Sequence, residues 1–357
     1  MQRIGPIKVL IVDDSALVRT MLTHALTRDP GIRVVAGAGD PFEARECIIT
    51  HRPDVIILDM EMPRMDGLTF LRKLMAHYPV PVIVCSTITP ANSRLAVEAM
   101  EAGAFDVVLK PSGSKALQKI GEDLIEKIQA ASQSMPPPPP IPASAGPVSF
   151  RAAGLDPAKY LIAVGASTGG TEAIRLLLSR MGPDFPPVVM VQHMPEGFTQ
   201  SFARRLDQIT PPAVAEAVDS TPARPGNVLL GRGGVQMRVR LEASGWRIRY
   251  GTSELVNRHC PSVDVLFDSV AQTAGRQAVG VILTGMGDDG ARGLLKMHQA
   301  GAWTVGQDPR SCVVYGMPKV AHDLGAVDCQ ANPADMARLI VQALKTRESS
   351  RALATRT

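Results

Sequence analysis

Cysteine is scarce in this chain, with five in 357 residues. Cys47, Cys85, Cys260, Cys312 and Cys329 are scattered, odd in number and without C-x-x-C or Cys/His spacing. That excludes a disulfide framework and a structural zinc site, and predicts a reducing, cytoplasmic location. Long apolar runs are also missing: nothing approaches the roughly 20 residues that span a bilayer. No extended apolar region follows "MQRIGPIKVLIVDD", so neither a secretory leader nor direct membrane insertion is expected. Strong charge of one sign is absent as well. The formal net charge is +4, and the basic residues, including the adjacent Arg204 and Arg205, are mixed with acids. A nucleic-acid partner would want a basic stripe or a reading motif, so none is expected.

What is present divides in two. The string "SQSMPPPPPIPASAGP", residues 132 to 147, breaks the apolar periodicity with a proline run suited to a semi-rigid spacer. Before it, "KVLIVDD", "IRVVAGAGD", "DVIILDM", "VPVIVCST" and "FDVVLKP" each precede a helix-period segment. Five such alternations predict a doubly wound parallel α/β sheet, a (βα)5 unit. After it, "YLIAVGAS", "PPVVMVQHM" and "AVGVILTGMGDDG" again read as buried strands ending in polar residues. The glycine-rich, alternating segment "GNVLLGRGGVQMRVRLEASGWRIRYG" predicts antiparallel hairpins inserted in that second α/β layer. The predicted boundaries are 1–131 for the first domain, 132–153 for the linker, 154–348 for the second domain and 349–357 for a disordered tail.

In wound sheets, ligands gather at the carboxyl ends of strands. The first strand ends in Asp13 and Asp14, the third in Asp59, the fourth in Ser86 and Thr87, and the fifth in Lys110. Singly, each could cap a helix or sit in solvent. Jointly they bring carboxylates, hydroxyls and an ammonium to one edge, a set suited to Mg²⁺ and to a carboxylate nucleophile towards phosphoryl groups. The strings "IVDDS", "LDMEMPRMDG", "ST" and "LKPS" resemble the receiver domain of two-component response regulators over residues 8 to about 130. That resemblance implies phosphorylation of Asp59 by a histidine kinase and Mg²⁺ held by Asp13, Asp14 and Asp59 with the backbone carbonyl of Glu61. It also implies switching contacts from Thr87 and Lys110. Phe105 stands where many receivers have Tyr or Phe.

The second half carries "LIAVGASTGGTEAI", in which Gly165-Ala166-Ser167-Thr168-Gly169 fits G-x-S-x-G at a strand-to-helix turn. Such turns either cradle phosphates or lift a nucleophilic serine. A partner base decides between them. The next strand ends in Gln192 and His193, and a third ends in "LTGMGDDG" with Asp288 and Asp289. A serine hydroxyl needs a base, and the base an orienting acceptor, so Ser, His and Asp on three strand ends meet both needs. The glycines beside the serine are expected to leave amides open to an oxyanion. A dinucleotide site would instead want an acid ending the second strand. The order Ser, His, Asp also disfavours an ordinary α/β-hydrolase.

Together, "GASTGG", "QHMP", "NRHCPSVDVLF", "VILTGMGDDGARG" and "SCVVYGMPKVA" resemble the catalytic domain of the chemotaxis protein-glutamate methylesterases over residues 160 to about 345. The resemblance implies Ser167 as nucleophile, His193 as base and Asp289 as orienting acid. It places Thr168 and Met286 at the cleft, Met286 through its amide as an oxyanion donor, and no cofactor in the esterase site. Cys260 departs from the arginine expected in its motif. The implied function is phosphorylation-activated hydrolysis of glutamate γ-methyl esters, and deamidation of certain glutamines, on methyl-accepting chemoreceptors. The alternatives are a receiver-linked serine hydrolase for another acyl substrate and a DNA-binding response regulator.

Overall fold

The computed structural model describes residues 5–87, 89–110, 114–133 and 146–354, and divides into two compact units, 1–134 and 135–357. The first unit alternates five strands, β1 (Ile7–Val12), β2 (Ile32–Ala38), β3 (Val55–Asp59), β4 (Val82–Ser86) and β5 (Asp106–Leu109), with five helices. These are α1 (Ala16–Leu26), α2 (Pro41–His51), α3 (Gly67–His77), α4 (Pro90–Glu101) and α5 (Ser114–Gln133). All pairings are parallel, in the order β2-β1-β3-β4-β5. The central strands are mostly apolar and almost wholly buried because helices cover both faces. Helix starts follow the polar residues after each strand. Ser15, Asp40, Asp66 and Thr89 accept from the first-turn amides of α1 to α4. The order reverses at β1 and β3, which opens a crevice at their carboxyl ends.

Among the described residues, the second unit has nine strands and six α-helices. β6 (Leu161–Ala166), β7 (Val188–Gln192), β8 (Ala213–Glu216) and β9 (Asn227–Leu230) run on one side of the sheet. β12 (Ala278–Ile282), β13 (Trp303–Gln307) and β14 (Cys329–Ala331) run on the other, giving β14-β13-β12-β6-β7-β9-β8, all parallel. β10 (Met237–Glu242) and β11 (Gly245–Tyr250) form a separate antiparallel hairpin. The helices are α6 (Gly170–Leu178), α7 (Phe198–Ile209), α8 (Val263–Ala274), α9 (Ala291–Gln299), α10 (Met317–Asp323) and α11 (Pro333–Ala354). The hairpin's buried Val239 and Ile248 join Leu266, Phe267, Leu294 and Met297 in the core against the sheet.

Both units are the expected α/β sheets, with three differences of detail. The segment 226–251 is not all hairpin: Asn227–Leu230 pairs in parallel with β7 and β8, because its apolar run is buried on both faces, and only β10 and β11 form the ribbon. The expected linker, 132–153, is ordered at both margins. α5 continues to Gln133, and Val148 bridges Met181. Phe150 is buried edge-on against Tyr160 and Phe185, which fixes residues 148–153 to the second unit. Residues 134–145 of the predicted tether lie outside the described residues. The expected tail from 349 is helical as far as Ala354, where α11 continues. Among the described residues no helix is long and apolar enough to cross a membrane.

Helix α8 lies so close to β6 that a Cβ on Gly165 would come within 2.2 Å of Val263 Cγ1 and 3.2 Å of the Phe267 ring. Gly165→Ala is expected to destabilise the second unit by about 1–3 kcal/mol through overpacking. Urea unfolding monitored for that unit measures it.

Candidate active site

At the edge of the first unit, Asp13 and Asp59 are buried while Asp14 is exposed. Lys110 Nζ lies 2.8 Å from Asp13 Oδ2 and 2.7 Å from Asp59 Oδ2. Asp13 Oδ1 also accepts the Ser15 amide at 2.9 Å, and Asp59 Oδ1 the Glu61 amide at 3.2 Å. Burial pushes the Asp59 carboxyl above its ordinary range and Asp13's charge adds to this, with Lys110 only partly opposing it. Burial works to lower the Lys110 ammonium, but bonding to both aspartates outweighs it and holds the pKa above its usual value. One carboxylate oxygen each from Asp13, Asp14 and Asp59 falls within 4.8 Å of the others. Three hard oxygen donors around one concentration of negative charge suit Mg²⁺.

Thr87 follows β4, exposed, and its Oγ1 accepts from Asn92 Nδ2 at 2.6 Å. Ser86 is buried and donates its hydroxyl to the Thr87 carbonyl. Phe105 is buried just before β5 and its amide bonds Val82 O at 2.7 Å. Asn92, which holds the Thr87 hydroxyl, was not foreseen; it lies one turn into α4, where an asparagine reads as solvated helix surface.

In the second unit the edge site forms where the strand order reverses, around β6, β7 and β12. Ser167 follows β6, and the register pairs Ala166 with Gln192, so Ser167 and His193 leave adjacent strands side by side. The His193 amide donates to Ala166 O at 2.9 Å, which fixes that alignment. Gln192 Nε2 donates to the carbonyls of Ser167, at 2.9 Å, and His193, at 3.1 Å. From β12 the chain turns under Ser167: Ser167 N donates to Thr284 O at 3.0 Å. A Cβ on Gly285 would lie 2.7 Å from Ser167 Cβ, so only glycine lets this loop pass so close. Met286 follows directly and is half-buried, while Thr168 is buried and its carbonyl accepts from Thr284 Oγ1.

His193 Nε2 is 2.8 Å from Asp289 Oδ2, with both side chains almost wholly buried. Asp288, its neighbour, is exposed, so geometry selects between the two acids. Asp289 Oδ1 further accepts from Ser262 Oγ at 2.7 Å, Asn257 Nδ2 at 2.8 Å and the Asp264 amide at 3.3 Å; Oδ2 takes the Val263 amide at 2.7 Å. Burial works to raise this carboxyl. The hydrogen bond from His193, with the bonds from Asn257 and Ser262, outweighs it and holds the pKa well below the carboxylate range. An ionised carboxylate only accepts, so the imidazole hydrogen sits on Nε2. Nδ1 is left buried with no hydrogen-bond partner.

One expectation is corrected here. The amides nearest the serine are not all open to an oxyanion, because Ser167 N is taken by Thr284 O and Gly170 N closes on Ser167 O at 2.7 Å. The tightness of the strand-to-helix turn consumes them. Sequence reasoning also missed Asn257, His259 and Ser262, which come from the quoted "NRHCPSVDVLF". His259 stacks on the His193 ring at 3.7 Å, nearly parallel at 9°. Asn257 has a left-handed φ of 50°, which aims its amide at Asp264 and Asp289. The half-buried Cys260 accepts the Gly234 amide on its carbonyl at 3.0 Å, tying this loop to the approach to β10.

An acidic, lysine-bridged edge on one unit and a Ser, His and Asp edge on the other define a response regulator whose output unit is an enzyme. Residues 9–122 match the response regulator receiver domain and residues 162–340 the CheB methylesterase family. The chain belongs to that family, the protein-glutamate methylesterases/protein-glutamine glutaminases. It is 48% identical over 331 residues to protein-glutamate methylesterase/protein-glutamine glutaminase 2 of Syntrophus aciditrophicus (strain SB), covering 90% of this chain and 94% of that one. It is 49% identical over 323 residues to protein-glutamate methylesterase/protein-glutamine glutaminase 4 of Anaeromyxobacter dehalogenans (strain 2CP-C), covering 90% of each. The crystal structure of the Thermotoga maritima CheB methylesterase catalytic domain is similar at a TM-score of 0.51 and 31% identity, over 52% of this chain and 98% of that one.

The raised Asp59 pKa means that the folded state takes up this proton more readily than the unfolded chain. Its stabilising contribution is complete below about pH 4 and is lost as pH rises through the folded pKa. Asp59→Asn should therefore stabilise the receiver at pH 7, with the gain closing towards about pH 4. Millimolar Mg²⁺ should raise the receiver melting temperature in the wild type and not in Asp59→Asn. Scanning calorimetry measures both, and equal Mg²⁺ shifts in the two proteins would exclude Asp59 as a ligand.

Proposed function

We propose that this chain hydrolyses glutamate γ-methyl esters on chemoreceptors, and deamidates certain receptor glutamines, through Ser167, His193 and Asp289. The observation that carries the chemistry is the Asp289 to His193 pair, which leaves Nδ1 unprotonated beside the strand end that bears Ser167. Family membership supports the substrate.

In the reaction, Ser167 Oγ attacks the ester carbonyl as His193 Nδ1 takes its proton. The imidazolium is stabilised by Asp289, which stays ionised. The tetrahedral oxyanion is received by backbone amides at the cleft, with Met286 N as the donor from the loop beneath Ser167 and Thr168 lining the same side. His193 then protonates the departing methoxide, methanol leaves, and an acyl-Ser167 remains. Water, deprotonated by His193, attacks that ester, and Ser167 recovers its proton as glutamate is released. With a glutamine side chain the same steps expel ammonia, since amide and ester share the tetrahedral intermediate. His259 holds the His193 ring in plane by stacking.

The receiver governs access. Asp59 accepts a phosphoryl group from the histidine kinase of the system. Asp13, Asp14 and Asp59, with the Glu61 carbonyl, would hold Mg²⁺, which would supply charge neutralisation there. Lys110 bridges Asp13 and Asp59, so a phosphoryl group on Asp59 gives it a stronger partner. The Thr87 hydroxyl, held by Asn92, is the second group placed to respond. The unphosphorylated receiver is proposed to cover the esterase cleft, with the proline-rich tether keeping its effective concentration high.

Ser167→Ala should abolish methanol release from methylated receptor membranes, and Asp289→Asn should lower turnover by about 10⁴-fold. Retained methanol release by Ser167→Ala would refute the mechanism. Deleting residues 1–146 should raise the esterase rate of unphosphorylated protein, as measured by the same assay with and without a small phosphodonor. A lower rate from equally folded protein would contradict occlusion.

A further inference from the structure

The outer face of the β10–β11 hairpin has a charge pattern that folding alone disfavours. The register sets Arg238 opposite Arg249 and Arg240 opposite Arg247. Like charges directly across an antiparallel pair are destabilising. The alternation leaves no choice of face, because Met237, Val239, Trp246 and Ile248 point into the core and the Val239 amide is bonded to Ser269 Oγ of α8. Carboxylates answer two of the four guanidinium groups. Glu242 pairs with Arg247 at 3.2 Å and Arg249 at 2.5 Å, and Asp219 pairs with Arg249 at 3.4 Å. Arg238 and Arg240, both exposed, have no carboxylate partner among the described residues.

This face is anchored to the catalytic loop. Gln236, one residue before β10, donates Nε2 to the carbonyls of Glu254, at 2.8 Å, and His259, at 3.0 Å. Its Oε1 accepts the Ser262 amide at 2.8 Å. The same loop supplies the ring stacked on His193 and the hydroxyl bonded to Asp289. At about 3.3 Å per residue, Arg238 and Arg240 stand about 7 and 13 Å along the strand from that anchor.

We infer that Arg238 and Arg240 dock the protein substrate itself, by taking free carboxylates on the helical segment that flanks the glutamyl ester. The inference rests on the methylesterase reading above. Each turnover converts a neutral ester into a carboxylate, so a segment with several such positions is acid-rich in proportion to its hydrolysis. Rungs two residues apart on a strand are about 6.6 Å apart, close to the roughly 5–6 Å between positions one turn apart on a helix. Two arginines on β10 therefore match two carboxylates on one helix face. Guanidinium forks suit carboxylates, and such rim contacts act on capture and KM more than on the chemical step. The surface thus favours segments that are already partly hydrolysed.

The test compares full-length wild type, Arg238→Glu/Arg240→Glu and Arg238→Lys/Arg240→Lys on methylated receptor membranes and on p-nitrophenyl acetate. The charge reversal is expected to raise KM for receptor about tenfold with kcat retained and the small-ester kinetics unchanged. The lysine pair should recover most of the loss, and raised salt should weaken the wild type towards the reversed variant. An unchanged receptor KM overturns the inference, as does an equal loss on both substrates in both variants. Binding to empty phosphatidylglycerol vesicles lost in the reversed variant, with a soluble receptor fragment hydrolysed normally, overturns it in favour of lipid headgroups. A wild type that releases no methanol from receptor would instead remove the methylesterase reading, so the two failures are separable.

Discussion

The Asp289 carboxylate is the point on which the second unit's geometry turns. It accepts from the His193 ring, the Asn257 amide, the Ser262 hydroxyl and the backbone amides of Val263 and Asp264. Two of those donors are first-turn amides of α8, which have no partner within their helix. A single buried charge thus caps the helix that packs on β6, fixes the loop carrying His259, and accepts the Nε2 hydrogen of His193. The donors hold it ionised despite its burial. A buried carboxylate is costly unless fully bonded, and here each oxygen accepts at least twice.

The two units solve different problems with one device. Each winds a parallel sheet whose strand order reverses near its first strand, and each gathers polar side chains at the resulting crevice. In the receiver the gathered groups are like-charged carboxylates bridged by Lys110, with burial holding the Asp59 carboxyl above its ordinary range. In the esterase unit the gathered groups are a hydroxyl, an imidazole and an acid, with the imidazole and the acid hydrogen-bonded to each other. Their close approach is bought by glycine at Gly285 beneath Ser167 and Gly165 beneath α8.

Much of this was legible in the sequence because polar residues at strand ends are local signals. A buried run stopping at "VDD", "LDM", "GAS" or "QHM" declares the edge residue wherever the sheet's order is known. Asp13, Asp14, Asp59, Lys110, Ser167 and His193 all end runs of that kind, while Asp289 follows in the loop after β12. What was not legible depends on long-range contact. Asn257, His259 and Ser262 sit in a loop without periodicity, and their roles arise only when α8 brings that loop beside β12. The run "NVLL" reads as ribbon locally, yet its partners are β7 and β8, because strand pairing is decided by burial rather than by propensity. Residues 148–153 look like tether until Phe150 meets Phe185 and Tyr160. The amides beside Ser167 looked open because a glycine-rich string does not reveal the carbonyls that close them.

The proposed mechanism requires that Asp289 hold the proton on His193 Nε2 and leave Nδ1 as the base for Ser167. Long-range ¹H–¹⁵N correlation spectra of the histidine side chains, recorded at a pH where His193 is neutral, observe this directly. A protonated Nε2 and an unprotonated Nδ1 are expected for His193, with the pattern lost in Asp289→Asn. A resting Nδ1–H tautomer in the wild type would contradict it.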